Sequence, residues 1–107
     1  MSEWTVVGAV ADFAAGTATR IVIGQTPVAV VATPEGLFAV SDVCSHAEVS
    51  LSEGEVDDCA IECWLHGSRF DLKTGAPSGP PATAAIATYD IAISDDPNPV
   101  VSVRLSA

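Results

Sequence analysis

No apolar run in this chain goes on long enough, or with the right period, to make an amphipathic helix. Glycine, proline or a polar group interrupts each one within a few residues. Short β-branched runs between turn residues are the pattern of strands, so the chain is expected to be all-β. The runs are Trp4–Val10, Ala18–Gly24, Val28–Thr33, Leu37–Asp42, Cys59–Cys63, Ala87–Ile93 and Val100–Ser106, with a further strand expected in "SRFDLKTGAP". Pro34-Glu35-Gly36 and Asp95-Asp96-Pro97-Asn98-Pro99 read as hairpin connections, and Gly75 offers a positive φ for a turn. Ala76–Pro81 reads as a rigid loop. With 107 residues, 49% of them hydrophobic, the chain can build one core but not two. It shows no repeat or linker, so residues 1–107 are read as one antiparallel β-sandwich or partly open barrel.

The charge is one-sided. Fourteen acids face four bases (Arg20, Arg69, Lys73 and Arg104). Nucleic acid is bound through Lys and Arg on phosphate, so no nucleic-acid partner is expected. Acidity of this kind serves solubility, or steers the chain towards a basic partner. The opening "MSEWTVVGAV" has neither a basic stretch nor a long apolar core, and no run approaches the ~20 apolar residues of a membrane span. A soluble, cytoplasmic protein is expected. Three cysteines make a poor disulfide framework and fit ligands plus a spare in a reducing compartment.

Both histidines and two of the three cysteines fall in two short words, Cys44-Ser45-His46 and Cys63-Trp64-Leu65-His66. Thiolate and imidazole together suit zinc or iron. Two of each could close a tetrahedral zinc site, but structural zinc knuckles usually pair like ligands. Mixed pairs make sense when two metals share the four. In a [2Fe–2S] cluster each iron needs two protein ligands, and His₂ can replace Cys₂ on one iron. Cys59 matches no ligand position and reads as an ordinary strand or core cysteine.

Cys44-x-His46 followed by Cys63-x-x-His66-Gly67 resembles the Rieske motif, and "CSHAEVSLSEGEVDDCAIECWLHGSRFDLKTGAP" is similar to the Rieske-type ferredoxins of bacterial oxygenase systems. The resemblance implies a β-sandwich carrying a small two-loop cluster-binding subdomain, about residues 43–82. It implies one [2Fe–2S] cluster, with Cys44 and Cys63 on the buried iron and His46 and His66 on the outer one. It also implies a one-electron carrier, not an enzyme, that passes electrons from a flavin-dependent ferredoxin reductase to a terminal non-haem iron oxygenase. Pro77, Gly79, Pro80 and Pro81 correspond to the proline loop over the cluster. Trp64 would shield the cluster or contact a partner, and Gly67 would let the backbone approach the sulfides.

Higher-potential members of the family carry an extra cysteine in each loop, joined as a disulfide. Those places are taken here by Val49 and Leu65. Their hydroxyl donors are a serine and a tyrosine; Ser68 is kept, and Phe70 stands at the tyrosine place. Rieske potentials span about −150 to +300 mV, and these departures point to the lower part. With neutral histidines the oxidised centre carries no net charge and reduction makes it −1, so acidic surroundings lower the potential further. The potential is also expected to fall with pH once the ligand histidines of the oxidised centre begin to ionise.

Glu48, Glu53, Glu55, Asp57, Asp58 and Glu62 lie between the two ligand words with no Lys or Arg among them. They admit two readings, a solvated hairpin with turn chemistry at Ser52-Glu53-Gly54 and Asp57-Asp58, or an acidic collar for docking. A Rieske oxygenase needs a second iron on two further histidines and a carboxylate, and both histidines are already used. Two alternatives remain: a Rieske ferredoxin serving iron–sulfur cluster assembly, and a structural zinc module. A carrier that docks reversibly is expected to be monomeric.

Overall fold

The computed structural model describes residues 4–43, 50–64, 68–78 and 84–105. Nine strands run through them: β1 Trp4–Ala9, β2 Ala18–Ile23, β3 Thr26–Thr33, β4 Gly36–Ser41, β5 Val56–Asp57, β6 Ala60–Glu62, β7 Arg69–Asp71, β8 Thr88–Ile93 and β9 Val100–Arg104. Short 3₁₀ turns occupy Val10–Asp12 and Leu51–Glu53. All strand pairing is antiparallel, in a six-stranded sheet ordered β1-β9-β8-β4-β3-β2 and a three-stranded sheet ordered β5-β6-β7.

The organising strand is β3. Its run Val28-Ala29-Val30-Val31-Ala32 is buried throughout, as a strand covered on both faces must be. Successive side chains point to opposite faces, and the core divides accordingly. Val28, Val30 and Ala32 pack with Ala39, Phe13 and the β9 residues Val101 and Val103. Ala29 and Val31 pack with Val40 and with Leu51, Ile61, Cys63, Phe70, Leu72 and Ile86. In the first group β3 meets β9 although two strands separate them in the hydrogen-bonded order, so the large sheet curls on itself. In the second group the other face of β3 is capped by the small sheet and its flanking turns. Each fully buried Val, Leu, Ile or Phe side chain contributes roughly 1.5–3 kcal/mol over leaving it exposed.

The all-β expectation holds, and the departures are local. β1 stops at Ala9 because Asp12 accepts a hydrogen bond from the Ala9 N–H (3.0 Å) and draws Val10–Asp12 into a 3₁₀ turn. β3 begins two residues before the expected Val28 and includes Pro27, whose carbonyl accepts from the Asp42 N–H (3.1 Å). Asp57 was expected in a turn; it sits in β5, and the turn falls on Asp58 (φ 53°) and Cys59. That turn also takes Cys59 out of the expected strand, leaving β6 as Ala60–Glu62. Gly75 has the positive φ expected of it, at 79°. Its carbonyl accepts from the Ile86 N–H (2.9 Å), tying the turn after β7 to the segment entering β8.

Candidate metal centre

Of the four expected ligands, the described residues include Cys63; Cys44, His46 and His66 lie outside them, as do Glu48, Val49, Leu65, Gly67 and Gly79–Pro81. What the structure defines is where the two ligand words start and end.

The word beginning at Cys44 leaves from the end of β4. The chain enters it at Asp42 and Val43 and re-emerges at Ser50, and this neck is tied tightly. Val43 and Ser50 form an antiparallel bridge. The Leu51 N–H donates to the Asp42 carbonyl (2.7 Å), and the Ser52 N–H donates to Asp42 Oδ1 (2.7 Å). From β2, Arg20 Nη1 donates to Asp42 Oδ2 (2.8 Å) and to Ser50 Oγ (2.9 Å). The Asp42 side chain is fully buried, and a buried carboxylate is tolerable only when paired and hydrogen-bonded in this way.

The second word begins at the end of β6, where Cys63 is fully buried and in no disulfide. Its N–H donates to the Ser68 carbonyl (2.7 Å), which closes this loop before β7. Ser68 is buried as well, whereas Trp64, next to Cys63, is 50% exposed. Cys63 and Leu51 belong to the same buried layer, together with Phe70 and Leu72. The two necks therefore rest on a common floor at one end of the molecule. Beyond β7, Pro77 bridges back to Phe70 and the Ser78 N–H donates to the Arg69 carbonyl (2.8 Å). The described part of the proline segment is thereby fastened to the same small sheet.

Gly54 locks the first neck to the second. Its N–H donates to the Leu51 carbonyl (2.9 Å). A Cβ at this position would run into the carbonyl oxygen of Glu62, the residue before Cys63. The backbone here, φ −89° and ψ −172°, suits any residue. Glycine is therefore required by contact, not by conformation.

The acidic stretch is less uniform than its sequence. Arg69, from β7, pairs with Asp57 (2.9 Å) and lies 3.5 Å from Glu62. Glu53, Glu55 and Asp58 remain exposed. Cys59, given no ligand role by its spacing, lies half-buried against the inner layer, and its carbonyl accepts from the Leu72 N–H (2.9 Å). Burial and, after it, the charge of Glu35 push the Cys59 thiol pKa up, which makes it a poor thiolate. Sequence reasoning missed three residues of this region: Asp42, Arg20 and Gly54. A lone Asp before the motif, one Arg 22 residues ahead of that Asp and one Gly in a polar stretch carry no periodic signal.

A fully buried cysteine, seated where a strand ends, suits a soft, low-charge metal centre such as a [2Fe–2S] cluster. Two tightly closed necks on one apolar floor suit two loops that share such a group. Known proteins agree. The sequence profile described as the Rieske [2Fe-2S] domain matches residues 3–90. The anthranilate 1,2-dioxygenase ferredoxin subunit of Burkholderia cepacia is 41% identical over 95 residues, 89% of this chain and 88% of that protein. Among solved structures, the ferredoxin of carbazole 1,9a-dioxygenase from Nocardioides aromaticivorans IC177 superposes with a TM-score of 0.84 at 31% identity, covering 92% of this chain and 95% of that one. A ferredoxin of Sphingomonas yanoikuyae B1 gives 0.87 at 27% identity, covering 97% and 100%.

Proposed function

This chain belongs to the Rieske [2Fe–2S] domain family and takes one [2Fe–2S] cluster, and from that premise we propose that it is the ferredoxin of a dioxygenase system. It accepts one electron from a flavin-dependent reductase and delivers it to a terminal non-haem iron oxygenase in the cytoplasm. Cys44 and Cys63 would hold one iron, and His46 and His66 the other. When bound, the group supplies a reversible one-electron couple. The rest falls to the chain. Cys63 anchors its end of the site in the core, the closed necks at Asp42–Ser50 and Cys63–Ser68 fix the loops, and Trp64 offers apolar contact to a partner.

The observation that carries this reading is the step from core to surface across one peptide bond. Cys63 is wholly buried, while Trp64 is half exposed. A carrier needs this arrangement, because its centre must be shielded from water yet close to a docking face. Relatives support the partner class. The matched ferredoxin subunit belongs by name to a dioxygenase, and a neighbour at 32% identity and TM-score 0.83, covering 92% of this chain and 99% of that one, was solved as a complex of reduced oxygenase and oxidised ferredoxin.

The test is an EPR-monitored redox titration of the anaerobically purified protein, followed by mixing the reduced protein with a terminal oxygenase of this class. The expected result is the low average g of a histidine-ligated [2Fe–2S] centre, a midpoint in the lower Rieske range, and rapid loss of the signal on mixing. Zinc in place of iron, or a reduced centre that the oxygenase leaves untouched, would overturn the proposal.

A further inference from the structure

We propose that Arg20 is a positioning residue for the metal centre, setting the cluster's retention and its reduction potential through Asp42 and Ser50. The inference rests on the reading of Cys44 and His46 as ligands. The chain enters the segment that begins at Cys44 through Val43 and leaves it at Ser50, where the two form an antiparallel bridge. Both ends converge on one guanidinium nitrogen. Arg20 Nη1 donates to Asp42 Oδ2 at 2.8 Å on the entering side and to Ser50 Oγ at 2.9 Å on the leaving side. Asp42 completes the knot by accepting from the amides of Leu51 and Ser52, each at 2.7 Å.

The register of β2 explains why Arg20 is the residue that does this. Arg20 stands opposite Ala29 of β3, and directly paired residues share a face of the sheet. Ala29 belongs to the inner layer that also holds Leu51 and Cys63. Arg20 therefore rises on the face that carries the loops, and its stem runs along the sheet to the buried carboxylate. Its own side chain stays 48% exposed while that of Asp42 is fully buried. The pair thus brings a charge from solvent to a carboxylate two positions before Cys44.

Two effects follow, and they are separable. Geometrically, partners that orient a ligand loop typically change metal affinity roughly 10- to 100-fold when removed. Electrostatically, Asp42 without Arg20 is an uncompensated negative charge two residues from Cys44, on a chain whose centre becomes more negative on reduction. The reduced form is disfavoured and the potential falls.

The experiment compares wild type, Arg20→Gln and Arg20→Lys as loaded proteins. It measures the midpoint potential at fixed pH and salt, the rate of visible bleaching by an iron chelator, and hydrogen exchange at the Leu51 and Ser52 amides. Arg20→Gln is expected to bleach roughly 10- to 100-fold faster, to have a more negative midpoint, and to lose protection at those two amides. Arg20→Lys keeps the charge but not the bridge to Ser50. Its midpoint should stay near wild type while bleaching quickens. A lowered melting temperature with wild-type bleaching and midpoint would overturn the proposal and leave Arg20 purely structural. Equal negative shifts in both variants would overturn the charge argument. Absence of a histidine-ligated EPR signal in the wild type would instead remove the ligand reading itself.

Discussion

Gly54→Ala adds one methyl group at a position whose backbone any residue can adopt, so its cost isolates the contact. The new Cβ overlaps the Glu62 carbonyl oxygen. No rotamer relieves this, because Cβ is fixed by the backbone. Either the Leu51–Glu53 turn or the end of β6 must move. Moving them stretches the hydrogen bond from the Glu62 N–H to the Glu55 carbonyl, now 2.8 Å. Overpacking of this kind costs about 1–3 kcal/mol, and a weakened backbone hydrogen bond about 1 more. A total of about 2–4 kcal/mol follows. For a chain of 107 residues, 1 kcal/mol is worth about 4–5 °C in melting temperature. The variant should therefore melt roughly 8–20 °C lower, and its iron content per chain should fall because Cys63 adjoins Glu62. Gly16→Ala is the control. Gly16 has φ 81° with nothing within 4 Å of an added Cβ, so it suffers only the left-handed backbone penalty of roughly 1–2 kcal/mol. Thermal unfolding with iron analysis decides the matter. If Gly54→Ala melts no lower than Gly16→Ala and keeps full iron, the two necks are not held by this contact.

Two further outcomes follow from the inner layer and its margin. Phe70→Ala, at a fully buried ring beneath the Pro77 bridge, should cost about 3–5 kcal/mol; denaturant unfolding of the iron-loaded protein checks this, and a loss under 1 kcal/mol would mean the site collapses freely. Burial and then the Glu35 charge raise the Cys59 pKa, and only the thiolate reacts with iodoacetamide. Alkylation of Cys59 at pH 8 should therefore be slower than that of a free thiol, should keep rising past the ordinary thiol range, and should speed up in Glu35→Gln; a rate matching a free thiol would refute the assignment.

Most of the strands were legible because each is a β-branched run stopped by Gly, Pro or a charged pair. Val28–Thr33 was clearest, since a strand buried on both faces has no polar alternation to confuse it. β5 was not legible. Two residues, Val56 and Asp57, pair with Ile61 and Ala60, and so short a run has no period. The Cys–His spacing pointed to the kind of metal centre because ligand chemistry is written in residue type. What holds the loops was not legible, because it depends on pairs distant in sequence. Arg20 reaches Asp42 and Ser50 only after β2, β3 and β4 have aligned, and Gly54 is constrained by the backbone of Glu62. The pairing within the acidic stretch was hidden for the same reason. Its missing counter-charge, Arg69, arrives from the next strand.

The four basic side chains reveal how an acidic carrier distributes its charge. Arg20 joins β2 to the end of β4 through Asp42, and Arg69 joins β7 to Asp57 and Glu62. Lys73 ties the turn after β7 to Glu35 in the β3–β4 hairpin, and Arg104 joins β9 to Asp90 on β8. Arg104 also lies over the Trp4 ring, 4.6 Å from its centre. Every Lys and Arg thus faces an acid on a neighbouring element. Apart from Arg20–Asp42, whose carboxylate is buried, these exposed pairs contribute about 0–1 kcal/mol each, so stability alone does not account for them. Their larger effect is on the field. With ten more acids than bases and every base already paired, no Lys or Arg side chain offers an acidic partner a foothold. Glu53 and Glu55 stay exposed between Leu51 and β5, and Asp58 stays exposed in the turn from β5 to β6. The field should therefore favour a basic partner surface over an acidic one.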